Sequence, residues 1–141
     1  MKMKYFLLIV ALASTGIYSI TTSRLLNPSQ DEIAKSVERG KEVYTAQCMS
    51  CHQPNGEGLS GVFPPLAGSD HLTKDQEKSI SIILKGQNEE ITVNGIKYSV
   101  PMAAMNSLTD QQIADVLNYM GHSWGNQFNT VTPAQVKSKR D

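Results

Sequence analysis

Only two cysteines occur in the 141 residues, Cys48 and Cys51, so a four-ligand structural zinc site would have to draw on distant histidines. Neither sign of charge is in excess, with 13 Lys and Arg against 13 Asp and Glu. A nucleic-acid partner, whose phosphates call for clustered basic residues, is therefore not expected. Internal repeats and low-complexity tracts are missing too, so one globular domain accounts for the length. The single long uncharged apolar run, Tyr5 to Ile20, contains no cysteine, so lipid attachment through a cysteine of the leader is not expected.

That run follows Lys2 and Lys4 and ends before the polar Thr21, Thr22, Ser23 and Arg24, the pattern of an export signal. Its length lies between a signal-peptide apolar region of about 7 to 15 residues and a spanning helix of about 17 to 25. Residues 1–23 are accordingly read as a signal peptide or an N-terminal membrane anchor through residues 5–20. A periplasmic protein is expected, free or held at the cytoplasmic membrane. Loss of Lys2 and Lys4 would leave 11 basic residues against 13 acidic ones, a mildly acidic surface. The roughly 115 to 120 residues then remaining bury a modest apolar core, to which a cofactor would add.

After a linker and helix start at residues 24–36, Ser29 can cap a helix with Asp31 and Glu32 in its first turn. Ile33, Val37, Gly40 and Tyr44 recur on one face of that helix, which runs to about Gln47. Asn55 to Gly68, with four glycines, Pro64 and Pro65, reads as an irregular loop. Thr73 with Gln76 resembles a capping box, before Ile80, Ile82, Ile83 and Leu84 and a stop at Gly86. Asn94 and Gly95 between Ile91–Val93 and Ile96–Tyr98 predict a hairpin with a type I′ turn. Thr109 with Gln112 caps a last long helix whose buried face carries Ile113, Val116, Leu117 and Met120 and which Gly121 ends. Thr132 and Pro133 start a short terminal helix, with Val136 packing back. The fold class is mostly α: short helices with one small β-hairpin.

The chemistry lies in Cys48, Met49, Ser50, Cys51 and His52, the CxxCH pattern of covalent haem c attachment. Two thiols three residues apart at a helix end can reach the two vinyl groups of one haem and form thioethers. The next residue brings an imidazole to the iron. A redox-active cysteine pair is the rival reading, but the strand, helix and strand context of a thioredoxin is missing. A zinc site is another, and adjacent Cys51 and His52 would chelate one metal poorly.

An iron that only passes electrons takes a sixth ligand, and a Met thioether raises its potential. Met102 and Met105 are the candidates, although a methionine there would also suit core filling. His71 and His122 are read as solvated or locally hydrogen-bonded.

These residues resemble the class I c-type cytochromes of bacteria, the monohaem proteins that accompany nitrite reductases, quinoprotein dehydrogenases and terminal oxidases. The resemblance rests on ERGKEVYTAQCMSCHQPNGEGLSGVFPPLAGSDHL and VNGIKYSVPMAAMNSLTDQQIADVLNYMGHSWGN and covers roughly residues 37 to 137. It implies a cytochrome c-like domain over residues 37–125 around one haem, followed by a polar C-terminal extension at 126–141. It implies that Gly40 and Tyr44 cross Val116 and Tyr119, and that the Pro64 carbonyl accepts a hydrogen bond from the His52 ring. In its register, four residues after Tyr98 and six before Leu108, the axial ligand falls on Met102, with Met105 at a variable position. The family usually has Met followed by Pro there, whereas Pro101 precedes Met102 here.

The function so implied is that of a monomeric one-electron carrier, not an enzyme, with redox proteins as donor and acceptor. Two alternatives stand beside it: a fixed cytochrome subunit of a larger respiratory or dehydrogenase complex, and a five-coordinate haem enzyme or gas sensor. For the last, His71 is the one candidate for a distal acid or base.

Overall fold

The computed structural model describes residues 29–140, so the expected leader at 1–23 lies outside the described residues. The chain divides into Met1–Asp31 and a unit from Glu32 to Asp141, to which, apart from Gln30 and Asp31, all that follows refers. Among the described residues no helix is long and apolar enough to cross a membrane.

Helix α1 spans Gln30–Gln47 and is followed after Cys48 by the single turn α2, Met49–His52. Next come α3, Asp70–Lys74, and α4, Gln76–Lys85. The hairpin strands are β1, Ile91–Val93, and β2, Ile96–Tyr98. Helix α5, Asp110–Gly121, and the short α6, Pro133–Lys137, complete the order. The described residues are mostly helical with one two-stranded antiparallel sheet, as the sequence implies.

Helix α1 buries Ser36, Gly40 and Tyr44, whereas Ile33 and Val37 of the predicted face are only half-buried. The shift has a polar cause. Asp115, 2% exposed on α5, sits opposite and takes a hydrogen bond from the Ser36 hydroxyl (2.5 Å) and two from the Arg39 guanidinium (2.7 and 2.9 Å). Gly40 lets the two backbones meet, for a Cβ there would overlap the Asp115 carbonyl oxygen and lie 2.8 Å from the Tyr119 Cβ. At Gly40 the close neighbours on α5 are thus Asp115 and Tyr119, one turn apart. Val116 is itself buried in the core.

The Thr73 cap is corrected by the structure. The region forms two helices, with Ser69 capping α3 through Leu72 N–H and Asp75 capping α4 through Lys78 N–H. An Asp with extended backbone (φ −146°, ψ 96°) interrupts the run, which the threonine pattern did not reveal. The capping boxes at Thr109 with Gln112 and Thr132 with Gln135 are both formed. Gly121 is the last residue of α5, and its smallness serves packing: a Cβ there would lie 2.7 Å from the Phe128 ring.

The hairpin pairs Ile91 with Tyr98 and Val93 with Ile96, turning at Asn94 (φ 49°) and Gly95 (φ 80°) as a type I′ turn requires. It buries Val93 and Tyr98 and is tied to α3 by Asn94 and Asp70, each of whose backbone N–H groups donates to the other's side chain (2.9 and 3.0 Å). The core between α1, α4, α5 and α6 is largely aliphatic, with Tyr44, Tyr119 and Trp124 clustered in tilted and edge-on contacts at ring-centroid distances of 5.1 to 5.4 Å.

Candidate functional site

A cavity of about 330 Å³, within the range of about 300 to 1,000 Å³ usual for cofactor and ligand clefts, opens beside α2. Its walls hold Cys48, Cys51, His52, Met102 and Met105, with an apolar lining that includes Ile83 and Leu117. All five chemistry-bearing residues singled out in the sequence meet at this one place.

The cysteine side is built by helical continuation. Cys48 N–H still bonds to Tyr44 O (2.9 Å) and His52 N–H to Cys48 O (2.9 Å), so Cys48 and Cys51 stand one turn apart on the same side. Both thiols are free and half-buried. Burial, with the neighbouring Cys51, pushes the Cys48 thiol up to about 11, which disfavours a thiolate there. An uncharged sulfur suits this position.

His52 Nδ1 lies 2.9 Å from the Pro64 carbonyl oxygen. A carbonyl only accepts, so Nδ1 carries the hydrogen and Nε2 keeps its lone pair. Burial lowers the imidazole pKa against the opposing pull of that hydrogen bond, favouring this neutral, metal-binding form. The loop that delivers Pro64 is held by its own backbone: Gly58 N–H donates to His52 O, Leu59 pairs with Phe63, and Gly56 O accepts from Leu66 and Ala67. Gly58 (φ 65°) is required there, since a Cβ would lie 2.7 Å from Pro64 O and collide with Phe63 O.

Across the cavity, Met102 is fixed by two backbone bonds with Gln87, Gln87 N–H to Met102 O (2.9 Å) and Met102 N–H to Gln87 O (2.8 Å). Gly86 (φ 79°) makes this approach possible, because a Cβ would lie 2.6 Å from Met102 O. Met105 N–H bonds to Ile83 O (2.8 Å). Both methionines are half-buried and both reach the cavity.

His71 departs from its sequence reading. It lines the cavity, and its Nε2 is, among the described residues, the buried side-chain polar atom without a hydrogen-bond partner. Its pKa is lowered, first by burial and then by the charge of Lys78. His122 is locally bonded as expected, with Nδ1 2.9 Å from Asn118 O.

Haem c fits this donor set. Two thiols stand on one helical turn, a neutral imidazole presents Nε2, thioethers are available across an apolar cleft, and one orphaned polar atom awaits a partner that the protein does not supply. Among the described residues no three His, Cys, Asp or Glu side chains converge on a metal position, as a zinc site would need. Sequence reasoning missed Gly58, Gly86 and Gln87. The two glycines carried a signal, standing in loops beside a motif, but Gln87 acts through its backbone and carried none.

Comparison with known proteins agrees with the site. The model of the family described as Cytochrome c matches residues 37–124. Cytochrome c-552 of Thermus thermophilus is 40% identical over 110 residues, covering 72% of this chain and 83% of that protein. The cytochrome c subunit of a quinone alcohol dehydrogenase from Gluconobacter oxydans is 34% identical over 103 residues, 72% of this chain but 22% of the subunit. The gluconate 2-dehydrogenase cytochrome c subunit of Pantoea cypripedii is 32% identical over 128 residues, 84% of this chain and 29% of the subunit.

Proposed function

Because this chain belongs to the cytochrome c family, we propose that Cys48 and Cys51 form the two thioethers to its haem c and that His52 Nε2 and the Met102 sulfur bind the iron. Haem c supplies the one-electron couple that makes the protein an electron carrier. The chain's own residues do the rest. The Pro64 carbonyl orients His52 and strengthens it as a donor, through the Nδ1 hydrogen bond. Ile83, Leu117 and their neighbours exclude water, and no acid or base is needed because no substrate bond is broken.

The observation that carries the choice of Met102 is its two-way backbone pairing with Gln87, which fixes the loop directly at that residue and agrees with the family register. A carrier rather than an enzyme is favoured because His71, the one cavity histidine besides His52, has its pKa lowered by burial and its Nε2 lacks the partner that would orient it as an acid or base. The leader composition supports export to the periplasm, with residues 5–20 as a signal or an anchor, and the partners are redox proteins meeting a monomer. Relatives that are dehydrogenase subunits support the second reading, a fixed subunit of a larger complex.

The test is carbon monoxide binding to the ferrous holoprotein. The wild type and Met105→Ala should leave the gas unbound, whereas Met102→Ala should bind it rapidly. Rapid binding by the wild type would refute the six-coordinate carrier, and binding by Met105→Ala alone would move the ligand to Met105.

A further inference from the structure

The family match ends at residue 124, yet the segment beyond it is tightly held. Asn126 donates to Leu66 O (2.9 Å) and Met120 O (3.0 Å) and accepts from Gly68 N–H (2.9 Å), which ties the end of α5 to the loop that carries Pro64. Asn118 grips Val131 at both its N–H (2.7 Å) and its carbonyl (3.0 Å). Helix α6 then starts with a formed capping box, and Val136 is fully buried. The strand of chain after α6 is thereby delivered to a fixed place.

At that place Arg140 spans the end of the methionine loop. Its Nη2 donates to Leu108 O (2.6 Å), its Nη1 to Asn106 O (3.1 Å), and its Nε to Asp110 Oδ1 (2.5 Å). Asn106 directly follows Met105, Leu108 lies two residues further on, and Asp110 opens α5. The loop from Met102 to Leu108 is therefore fastened three times: at its start by Gln87, in its middle by Ile83, and at its end by Arg140. Only the last fastening comes from outside the family's matched region. A guanidinium suits the task, because its fixed fork satisfies two carbonyls and a carboxylate together, and such charge-assisted bonds exceed ordinary ones in strength.

We propose that Arg140 is a positioning residue for the sixth-ligand loop, and that the C-terminal segment 125–140 is a brace whose last link sets how often that loop opens. The proposal rests on the methionine-loop reading given above. Loop opening is a local event whose frequency follows the free energy of the bonds that must break for it to occur. Removing the guanidinium takes away a group of charge-assisted bonds, so opening should become about tenfold or more frequent.

The experiment uses the haem-loaded protein in two measurements. Hydrogen exchange of the amides from 103 to 108 reads loop opening whichever methionine binds iron. Cyanide binding to the ferric protein at high cyanide reads departure of the ligand itself. Arg140→Ala should raise both rates about tenfold, and Arg140→Lys, which keeps a charge but one point of donation, should fall between it and the wild type. Lys139→Ala breaks only the link to Glu77 (2.6 Å) on the same segment and should leave both rates as in the wild type. Unchanged exchange in Arg140→Ala would overturn the brace. An equal rise in Lys139→Ala would also overturn it, by assigning the effect to general loosening. Faster exchange with wild-type cyanide kinetics would uphold the brace and refute only the placing of the ligand on this loop.

Discussion

Arg39 grips Asp115 side-on, Nε to Oδ2 at 2.7 Å and Nη2 to Oδ1 at 2.9 Å, although the carboxylate is 2% exposed and the arginine side chain is 47% exposed. The pair is lopsided. Losing Arg39 leaves a buried anion with only Ser36 and Gln111 as donors, whereas losing the Asp115 charge leaves a cation that water can reach. Arg39→Met should therefore cost about 3 kcal/mol and Asp115→Asn about 1 kcal/mol. Urea unfolding of the two variants at neutral pH checks the order. Equal costs would show that the exposed arginine contributes nothing beyond a neutral hydrogen bond.

Gly58 stands between two carbonyls that the haem site depends on. Gly58→Ala should lose about 2 kcal/mol from its positive φ together with the crowding of Phe63 and Pro64. It should also lengthen the bond from His52 Nδ1 to Pro64 O, weaken the imidazole as a donor, and so raise the reduction potential. Voltammetry of the holoprotein reads the sign, and a lowered potential would contradict the role given to Pro64.

Asp70 carries the pH dependence of the α3 and hairpin contact. The Asn94 backbone N–H first, then the Lys74 ammonium, hold its carboxyl below the ordinary value of 3.8. A depressed carboxylate stabilises the fold above its unfolded pKa of about 3.9 and loses that contribution as pH falls through its lower folded value. The stability difference between wild type and Asp70→Asn should thus be constant near neutrality and shrink below about pH 4. Carboxyl-detected NMR of Asp70 gives the folded value directly, and a result at or above 3.8 would remove the argument.

Much of this was legible in the sequence because it is local. A CxxCH run, an Asn-Gly turn, the Thr109 and Gln112 box and the Thr132-Pro133 start each specify geometry within a few residues, and Cys48, Cys51, His52, the hairpin, α5 and α6 lie where those patterns point, whereas the same Thr-x-x-Gln pattern at Thr73 misled. What stayed hidden depends on distant partners. Ser36 looks like a surface residue until Asp115 is placed beside it, 79 residues away. The position of Asp115 amid Ile113, Val116 and Leu117 was the available hint, a charge on an apolar face. His71 read as solvated or locally hydrogen-bonded because nothing local shows that it lines the cavity. Arg140 and Asn126 sat in a stretch that reads as a polar tail, and only the carbonyls they meet give them a purpose.

The hydrogen bond from Asn118 Nδ2 to Ser36 Oγ, 2.9 Å long, joins positions 82 apart in the chain. In kinetic terms a contact of that separation carries the entropy of closing the intervening chain, and topology of this kind slows folding. A group fastened at one end of that chain and gripped at the Met102 loop would divide one long closure into shorter ones. The docking of α1 on α5 should then run faster once the cofactor is in place, which makes the prosthetic group a participant in the order of assembly as well as in the finished protein.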